Sequence, residues 1–356
     1  MWDPVAGAGN SATATSRAAS FVAGIGVDGS SDSTNPFFQQ QSRMIIARIL
    51  HAAALGHASM TDVVTWALDL ENSDAAQSIL DGDPRTEMQW AKTLKAARTG
   101  ADETLSSVRM TLAQKVEPIL SRLVMRQMVP GGGVQEFDPA SFVRSNDTLI
   151  LITDDQAQTN VAPLTTMLLG DVIQAAKAAA ALSMTGRLDP PLRIVGDEIA
   201  NVAPLPKLPG LLSDSRGLGI QWLLAFQSLA QIYARWGEAE GRQIAANLNC
   251  SLILGGMQDE SALARFSTLV GEADITEVSS NLDSGNTATG SSVTVTERTA
   301  LRPEEIRQIA DGQALVIYRN APAMLVNLIR WTDRPDGDDI ASGIARVRAA
   351  RIGRRP

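Results

Sequence analysis

The sequence predicts an α/β fold in which a parallel sheet core is interrupted by an inserted all-α domain, and three observations predict it. Short apolar runs at 148–153, 192–197, 220–226 and 251–254 alternate with helical stretches through the second half of the chain, the pattern of βαβ units on a parallel sheet. Residues 37–130 instead repeat apolar side chains at helical spacing. The 356 residues are 44% hydrophobic, which suffices for one large or two modest domains.

Taken in order, residues 1–36 read as an irregular lead-in rich in Gly, Ser, Ala and Thr. The helical stretch follows: Ile45, Ile46, Ile49, Leu50 and Ala53 share one face, Thr61-Asp62 offer a helix start, and runs at 87–98 and 103–126 continue it. Pro118 is expected to break the last of these. Trp66, Trp90 and the methionines of this region read as core. Pro130-Gly131-Gly132-Gly133 reads as a joint. Beyond it come a buried strand at 148–153, a long Ala/Leu/Met helix at 161–184, and strands ending at Asp197 and Phe226. A strand at 251–254 and a helix at 259–270 follow. Residues 271–298, rich in Ser, Thr, Gly and Asn, read as a loop with a short strand at 292–296, and a closing strand pair is expected at 313–318 and 324–331. Residues 336–356 carry Arg346, Arg348, Arg351, Arg354 and Arg355. That tail reads either as a phosphate-contacting or as a disordered terminus.

Charge and cysteine content narrow the function classes. A net charge of −8 and a pI near 5.0 exclude a protein that coats nucleic acid by bulk charge, so a polyanion would need a local basic surface. Cys250 is the only cysteine, which excludes an internal disulfide framework and fits a reducing cytosol; its expected role is packing. His51 and His57 lie in an alanine-rich helical region without a ligand cluster of metal spacing, and read as structural or solvated. No window approaches 18 consecutive apolar residues and no signal-peptide pattern opens the chain, so the polypeptide as given is expected to be soluble.

The chemistry concentrates at 192–256. The apolar run Leu192-Arg193-Ile194-Val195-Gly196 ends on two acids, Asp197 and Glu198. A buried strand that delivers carboxylates at its C-terminal end is the layout of a nucleotide-hydrolysis site, the first acid holding Mg²⁺ and the second orienting water. Acids also favour strand ends and helix starts on electrostatic grounds alone, so the pair by itself is a weak signal. A phosphate-binding loop needs a lysine followed by Ser or Thr after glycines. The lysines are at 92, 95, 115, 177 and 207, and only Lys92 precedes such a residue, within a helical pattern that lacks glycine. The Walker A element is therefore absent from this chain.

Further residues carry a family resemblance. Asp197-Glu198-Ile199-Ala200-Asn201, Pro204-Leu205-Pro206-Lys207-Leu208-Pro209, Leu212-Ser213-Asp214-Ser215-Arg216-Gly217-Leu218-Gly219 and Gln227-Ser228-Leu229-Ala230-Gln231 resemble the C-terminal motor half of the type IV coupling proteins, the conjugative TraG/TraD group. The similarity continues through Arg235-Trp236-Gly237-Glu238, Asn247-Leu248-Asn249-Cys250 and Leu269-Val270-Gly271-Glu272, and covers roughly residues 140 to 330. Residues 37–70 resemble the family's all-α domain more loosely. Trp2-Asp3-Pro4 resembles the segment downstream of the Walker A strand, so the chain is expected to begin after the P-loop. Gly196 departs from the family pattern, which has an apolar residue there.

The resemblance implies a RecA-like P-loop NTPase: a piece of the nucleotide-binding domain at 1–36, the all-α insertion at 37–130, the Walker B half at 140–335 and an Arg-rich tail at 336–356. It implies ATP and Mg²⁺ as cofactors, Asp197 as the metal-associated acid, Glu198 as the catalytic glutamate, Arg216 as an arginine finger reaching a neighbouring subunit, and Gln227 as a γ-phosphate sensor. The implied protein is a hexamer at the inner face of the bacterial plasma membrane. It links a relaxase-bound substrate to a secretion channel and pumps single-stranded DNA. Without the P-loop, this polypeptide alone is expected not to hydrolyse ATP. Two other classes fit the same residues: a non-catalytic docking module for a relaxosome protein, and a soluble translocase of the FtsK or HerA type.

Overall fold

The computed structural model describes residues 1–25, 36–100, 103–120, 128, 136–152, 158–282 and 288–352. They form two compact units, Met1–Asn247 and Leu248–Pro356.

In the first unit, helix α1 (Ser11–Ile25) is followed by α2 (Pro36–Leu55), α3 (Met60–Leu68), α4 (Asp74–Gly82), α5 (Trp90–Thr99) and α6 (Glu103–Val116). Local chemistry starts α3 one turn ahead of the expected cap. The Ser59 hydroxyl accepts from the Asp62 amide while the Asp62 carboxylate accepts from the Ser59 amide, a reciprocal capping box. Pro118 ends α6, and Glu117–Leu120 tighten into a 3₁₀ turn. The proposed joint at 130–133 lies outside the described residues.

The expected irregular lead-in is corrected: 11–25 is a helix with Phe21, Val22 and Ile25 buried. Its run of Ala, Ser and Thr carries too weak a periodicity to betray a helix, and tertiary packing decides it. After the short α7 (Pro139–Phe142), α8 (Gln158–Leu182) packs along α1. A Cβ on Gly24 would stand 2.4 Å from the Pro163 backbone, so the two helices cross backbone to backbone. Leu164 and Met167 of α8 join Phe21, Ile45, Ile49, Leu50 and Leu112 in one core. The helical region and α1/α8 thus share a hydrophobic interior.

One buried ion holds this arrangement. Arg17, 7% exposed, donates from Nε and Nη2 to Asp171 of α8 at 2.9 and 2.6 Å, and from Nη1 to the carbonyls of Pro4 and Ala6 at 2.8 and 2.5 Å. Its guanidinium also lies 5.7 Å from the Trp2 ring centroid. His51 is buried too, with Nδ1 on the Ala8 carbonyl at 2.9 Å and its ring edge-on to Trp90, which agrees with a structural histidine.

Strand β1 (Leu192–Gly196) leads through α9 (Ile199–Val202) and α10 (Leu208–Leu218) to β2 (Ile220–Leu224), which lies parallel to it with Leu192 opposite Ile220 and Gly196 opposite Leu224. Helix α11 (Leu229–Asn247) closes the unit. The strand expected at 148–153 does not form among its described residues 148–152. This extended stretch lines a groove of about 900 Å³ beside β1, with Ile150 72% and Ile152 71% exposed. An apolar run becomes a strand only where a ladder partner exists, and among the described residues β1 pairs with β2 alone.

In the second unit, β3 (Cys250–Ile253) is followed by α12 (Glu260–Val270), β4 (Glu272–Leu282), β5 (Ala288–Thr299), α13 (Pro303–Arg307), β6 (Gln313–Tyr318), β7 (Met324–Asn327) and α14 (Gly337–Ile352). β3, β6 and β7 make an antiparallel sheet in that order, packed on Leu263 and Ile306. The closing strand pair forms, its second strand ending at Asn327 where 331 was expected, and β3 pairs antiparallel with β6: apolar periodicity marks a buried segment without fixing its partner's direction. Cys250 is exposed, which corrects its packing role. The expected loop at 271–298 is a β-hairpin of β4 and β5. The Arg-rich tail is helical over 337–352. Asp259 caps α12; its bonds to the Ser261 hydroxyl and the Ala262 amide hold its carboxyl below the usual range.

Because Arg17 and Asp171 are nearly fully desolvated, removing one partner strands the other charge. Asp171→Ala is expected to destabilise by about 3–5 kcal/mol in urea unfolding, and Arg17→Met/Asp171→Leu together by much less. A single variant no worse than the double would contradict this account.

Candidate functional site

The site is built where β1 and β2 end together. The Ala225 amide donates to the Gly196 carbonyl at 2.9 Å, carrying the parallel ladder one step past the strands. Two chain segments therefore leave the sheet side by side, one bearing Asp197 and Glu198, the other Phe226 and Gln227. Gly196 makes the first exit possible. A Cβ there would meet Ile199 at 3.0–3.1 Å and Leu224 at 3.2 Å, so an apolar side chain would push α9 off the strand end. The departure at Gly196 thus tightens this turn.

Glu198 stands in left-handed backbone, φ 48° and ψ 39°, at the start of α9. That conformation is costly for a residue with a Cβ and persists where surrounding structure over-determines it, commonly at functional sites. Its carbonyl accepts from the Asn201 and Val202 amides at 2.8 and 3.1 Å. Its neighbour Ile199 is buried, and α9 is tied to α8 by the Thr165 hydroxyl donating to the Val202 carbonyl. The strain aims the side chain at β2: Gln227 Nε2 donates to Glu198 Oε1. Gln227 is held in turn, its amide donating to Gln231 Oε1 at 3.1 Å while the Ser228 hydroxyl accepts from the Gln231 amide at 3.1 Å.

Asp197 is exposed immediately before Glu198 and lines the groove beside β1. Among the described residues no group of three or more His, Cys, Asp or Glu side chains forms a metal cage. A lone carboxylate still suits Mg²⁺, which keeps waters and takes phosphate oxygens rather than a full set of protein ligands.

Arg216 sits elsewhere. It is exposed on the last turn of α10, whose end is fixed by the Leu188 amide donating to the Leu218 carbonyl at 2.9 Å, just upstream of β1. With β1 and β2 parallel and in register, Arg216 lies at their N-terminal edge, roughly 13 Å of strand away from the edge that carries Glu198 and Gln227. The fold thus brings Glu198 and Gln227 together beside Asp197, and leaves Arg216 on the opposite edge. Ser228 and Gln231 support the site without an assigned role in the motif; their spacing, Ser at the start of the helix and Gln three residues later, is a capping signal in the sequence.

The fold, an α/β unit with parallel strands, a carboxylate at their C-terminal edge and an adjoining helical region, defines the class of RecA-like NTPase-fold proteins with an all-α domain. Residues 191–311 match the family described as the TraM recognition site of TraD and TraG. Over those 121 of the 356 residues the chain is similar to that family. Solved structures agree on the fold. The bacterial conjugative coupling protein TrwBdeltaN70 in its unbound monoclinic form is 17% identical, with a TM-score of 0.66 over 92% of this chain and 71% of that chain. The plasmid coupling protein TrwB in complex with the ATP analogue ADPNP gives 0.64 at 17% identity, over 90% and 69%. The same protein with ADP and Mg²⁺ gives 0.63 at 17% identity, over 92% and 70%. Among curated proteins no sequence matches.

Glycine is the residue that left-handed backbone suits, so Glu198→Gly is expected to stabilise the fold by about 0.5–1 kcal/mol even as it removes the carboxylate. Glu198→Ala, which keeps the Cβ, should bring no such gain. The urea midpoints of the two variants check this, and a destabilised Glu198→Gly would show that the turn is unstrained.

Proposed function

We propose that this chain is the motor portion of a conjugative coupling protein, an ATP-driven translocase that passes single-stranded DNA from a relaxosome to a type IV secretion channel. The observation that carries the proposal is the Glu198–Gln227 bond at the carboxyl ends of adjacent parallel strands, where ligands of open α/β sheets bind. The coupling-protein matches, two of them to complexes with ADPNP or with ADP and Mg²⁺, support it.

In this proposal Asp197 holds Mg²⁺, directly or through water; a bound ion there supplies charge neutralisation for phosphoryl transfer. Glu198 orients the attacking water and accepts its proton. The Gln227 amide, donor and acceptor at once, holds the Glu198 carboxylate and reads the γ-phosphate. Arg216, at the far edge, serves the nucleotide of a neighbouring subunit, which suits a homo-hexamer. Residues 1–36 and 140–335 make up the nucleotide-binding domain, with 37–130 inserted. Among the described residues no helix is long and apolar enough to cross a membrane; the proposed place is the cytoplasmic face of the bacterial inner membrane, reached through other segments or partners. The family matched by 191–311 supports an added docking role toward a relaxosome protein.

The purified chain, incubated with ATP and Mg²⁺, is expected to give background phosphate release unaffected by Glu198→Gln, since no P-loop lysine is present. Glu198-dependent turnover would contradict this. In an assembly that supplies the phosphate loop, Glu198→Gln should lower turnover about 10²–10⁴-fold. Unchanged turnover there would refute the hydrolytic role.

A further inference from the structure

The helix that follows Gln227 makes contacts that the site itself does not require. α11 is interrupted at Gly237, φ 80° and ψ 160°, so residues 229–236 form a short rigid segment about 12 Å long. One end is fastened to the site through the bond from the Gln227 amide to Gln231 Oε1. At the other end Arg235 Nη2 donates to the Ala23 carbonyl of α1 at 2.6 Å. That carbonyl lies in the last turn of α1, where a helix leaves its carbonyls without internal partners and a cation is favoured. Beside it, Trp236 Nε1 donates to the Leu205 carbonyl at 2.9 Å, with its ring edge-on to Phe226 at 6.1 Å. The segment borders a cavity of about 1430 Å³ whose α1 wall is built of Ser16, Ala19 and Ala23, side chains too small to interlock with it. α1 in turn packs on α2, the first helix of the helical region.

We propose that residues 229–236 act as a lever, with Arg235 as the positioning residue, through which the state of the Glu198–Gln227 pair reaches α1 and the helical region. A rigid helical turn cannot absorb a displacement of its own start, and the Gly237 break uncouples it from the rest of α11. Movement of Gln227 therefore appears at Arg235, where the bond to Ala23 weakens steeply with distance and misalignment. The cavity supplies room for the motion. The biological meaning of the lever rests on the hydrolytic reading of Glu198 and Gln227, whereas its mechanical coupling does not.

Hydrogen exchange of the full chain, read by mass spectrometry without nucleotide, tests it. Gln227→Ala is expected to speed exchange in the last turn of α1, residues 22–25, about tenfold, Arg235→Ala to do the same, and the double variant to add little to either. Arg235→Lys, which keeps charge and most of the reach, should fall between; if Arg235→Ala fails to fold, the cycle is read with Arg235→Lys. The proposal is overturned if Gln227→Ala leaves α1 unchanged while the Arg235 variants speed it, or if the two effects multiply independently. A tenfold coupled effect alongside turnover that Glu198→Gln leaves unchanged in an assembly supplying the phosphate loop would keep the lever and remove the hydrolytic reading. The reverse pattern would do the opposite.

Discussion

The buried guanidinium of Arg17 is the interaction on which the first unit depends. It binds Asp171 of α8 and two carbonyls of the N-terminal segment, and so fixes α1 against α8 about two helical turns from the point where Gly24 and Pro163 touch. A buried ion pair contributes little net energy relative to apolar packing, yet removing one partner is costly because it strands the other charge. The helix that carries Asp171 also supports the site. α8 holds α9 through Thr165 and Val202, and α9 begins at Glu198.

From that anchor the site follows by short steps. β1 and β2 end in register and Gly196 lets α9 fold back on the strand end. The strained backbone of Glu198 then turns its carboxylate toward Gln227. The same α1 that Arg17 fixes also receives Arg235 from the helix behind Gln227. One helix therefore sits between the ionic anchor, the candidate site and the helical region.

Much of this was legible in the sequence. The apolar run into Asp197-Glu198 marked a strand that ends on acids, and the resemblance to the coupling proteins singled out Gln227 as the residue at the end of the next strand. The helical region was legible from its period, and β6 with β7 from their apolar runs. What was missed has physical causes. α1 is made largely of Ala, Ser and Thr, whose burial comes from close helix contact and not from an amphipathic stripe. The β4–β5 strands carry Ile275, Val278, Val293 and Val295 among a majority of Ser, Thr, Glu and other polar residues, too few apolar positions for alternation to mark them. At 148–152 the sequence pattern was right for a strand while the ladder it needs is missing. The left-handed position of this turn falls on Glu198, one residue past Gly196-Asp197 and not on the glycine, Asn or Asp that suits it, and the partition at Asn247 follows from contacts that no local pattern encodes.

In the proposed motor, Glu198 and Gln227 form one half of a site while Arg216, on the opposite edge of the same strands, serves a different subunit. Mixing Glu198→Gln subunits with Arg216→Ala subunits, in an assembly that supplies the phosphate loop, tests it most directly. Each homogeneous preparation is predicted to be inactive, and the mixture to regain turnover at interfaces where an intact Glu198 faces an intact Arg216 from its neighbour. A mixture as inactive as its components would contradict the account.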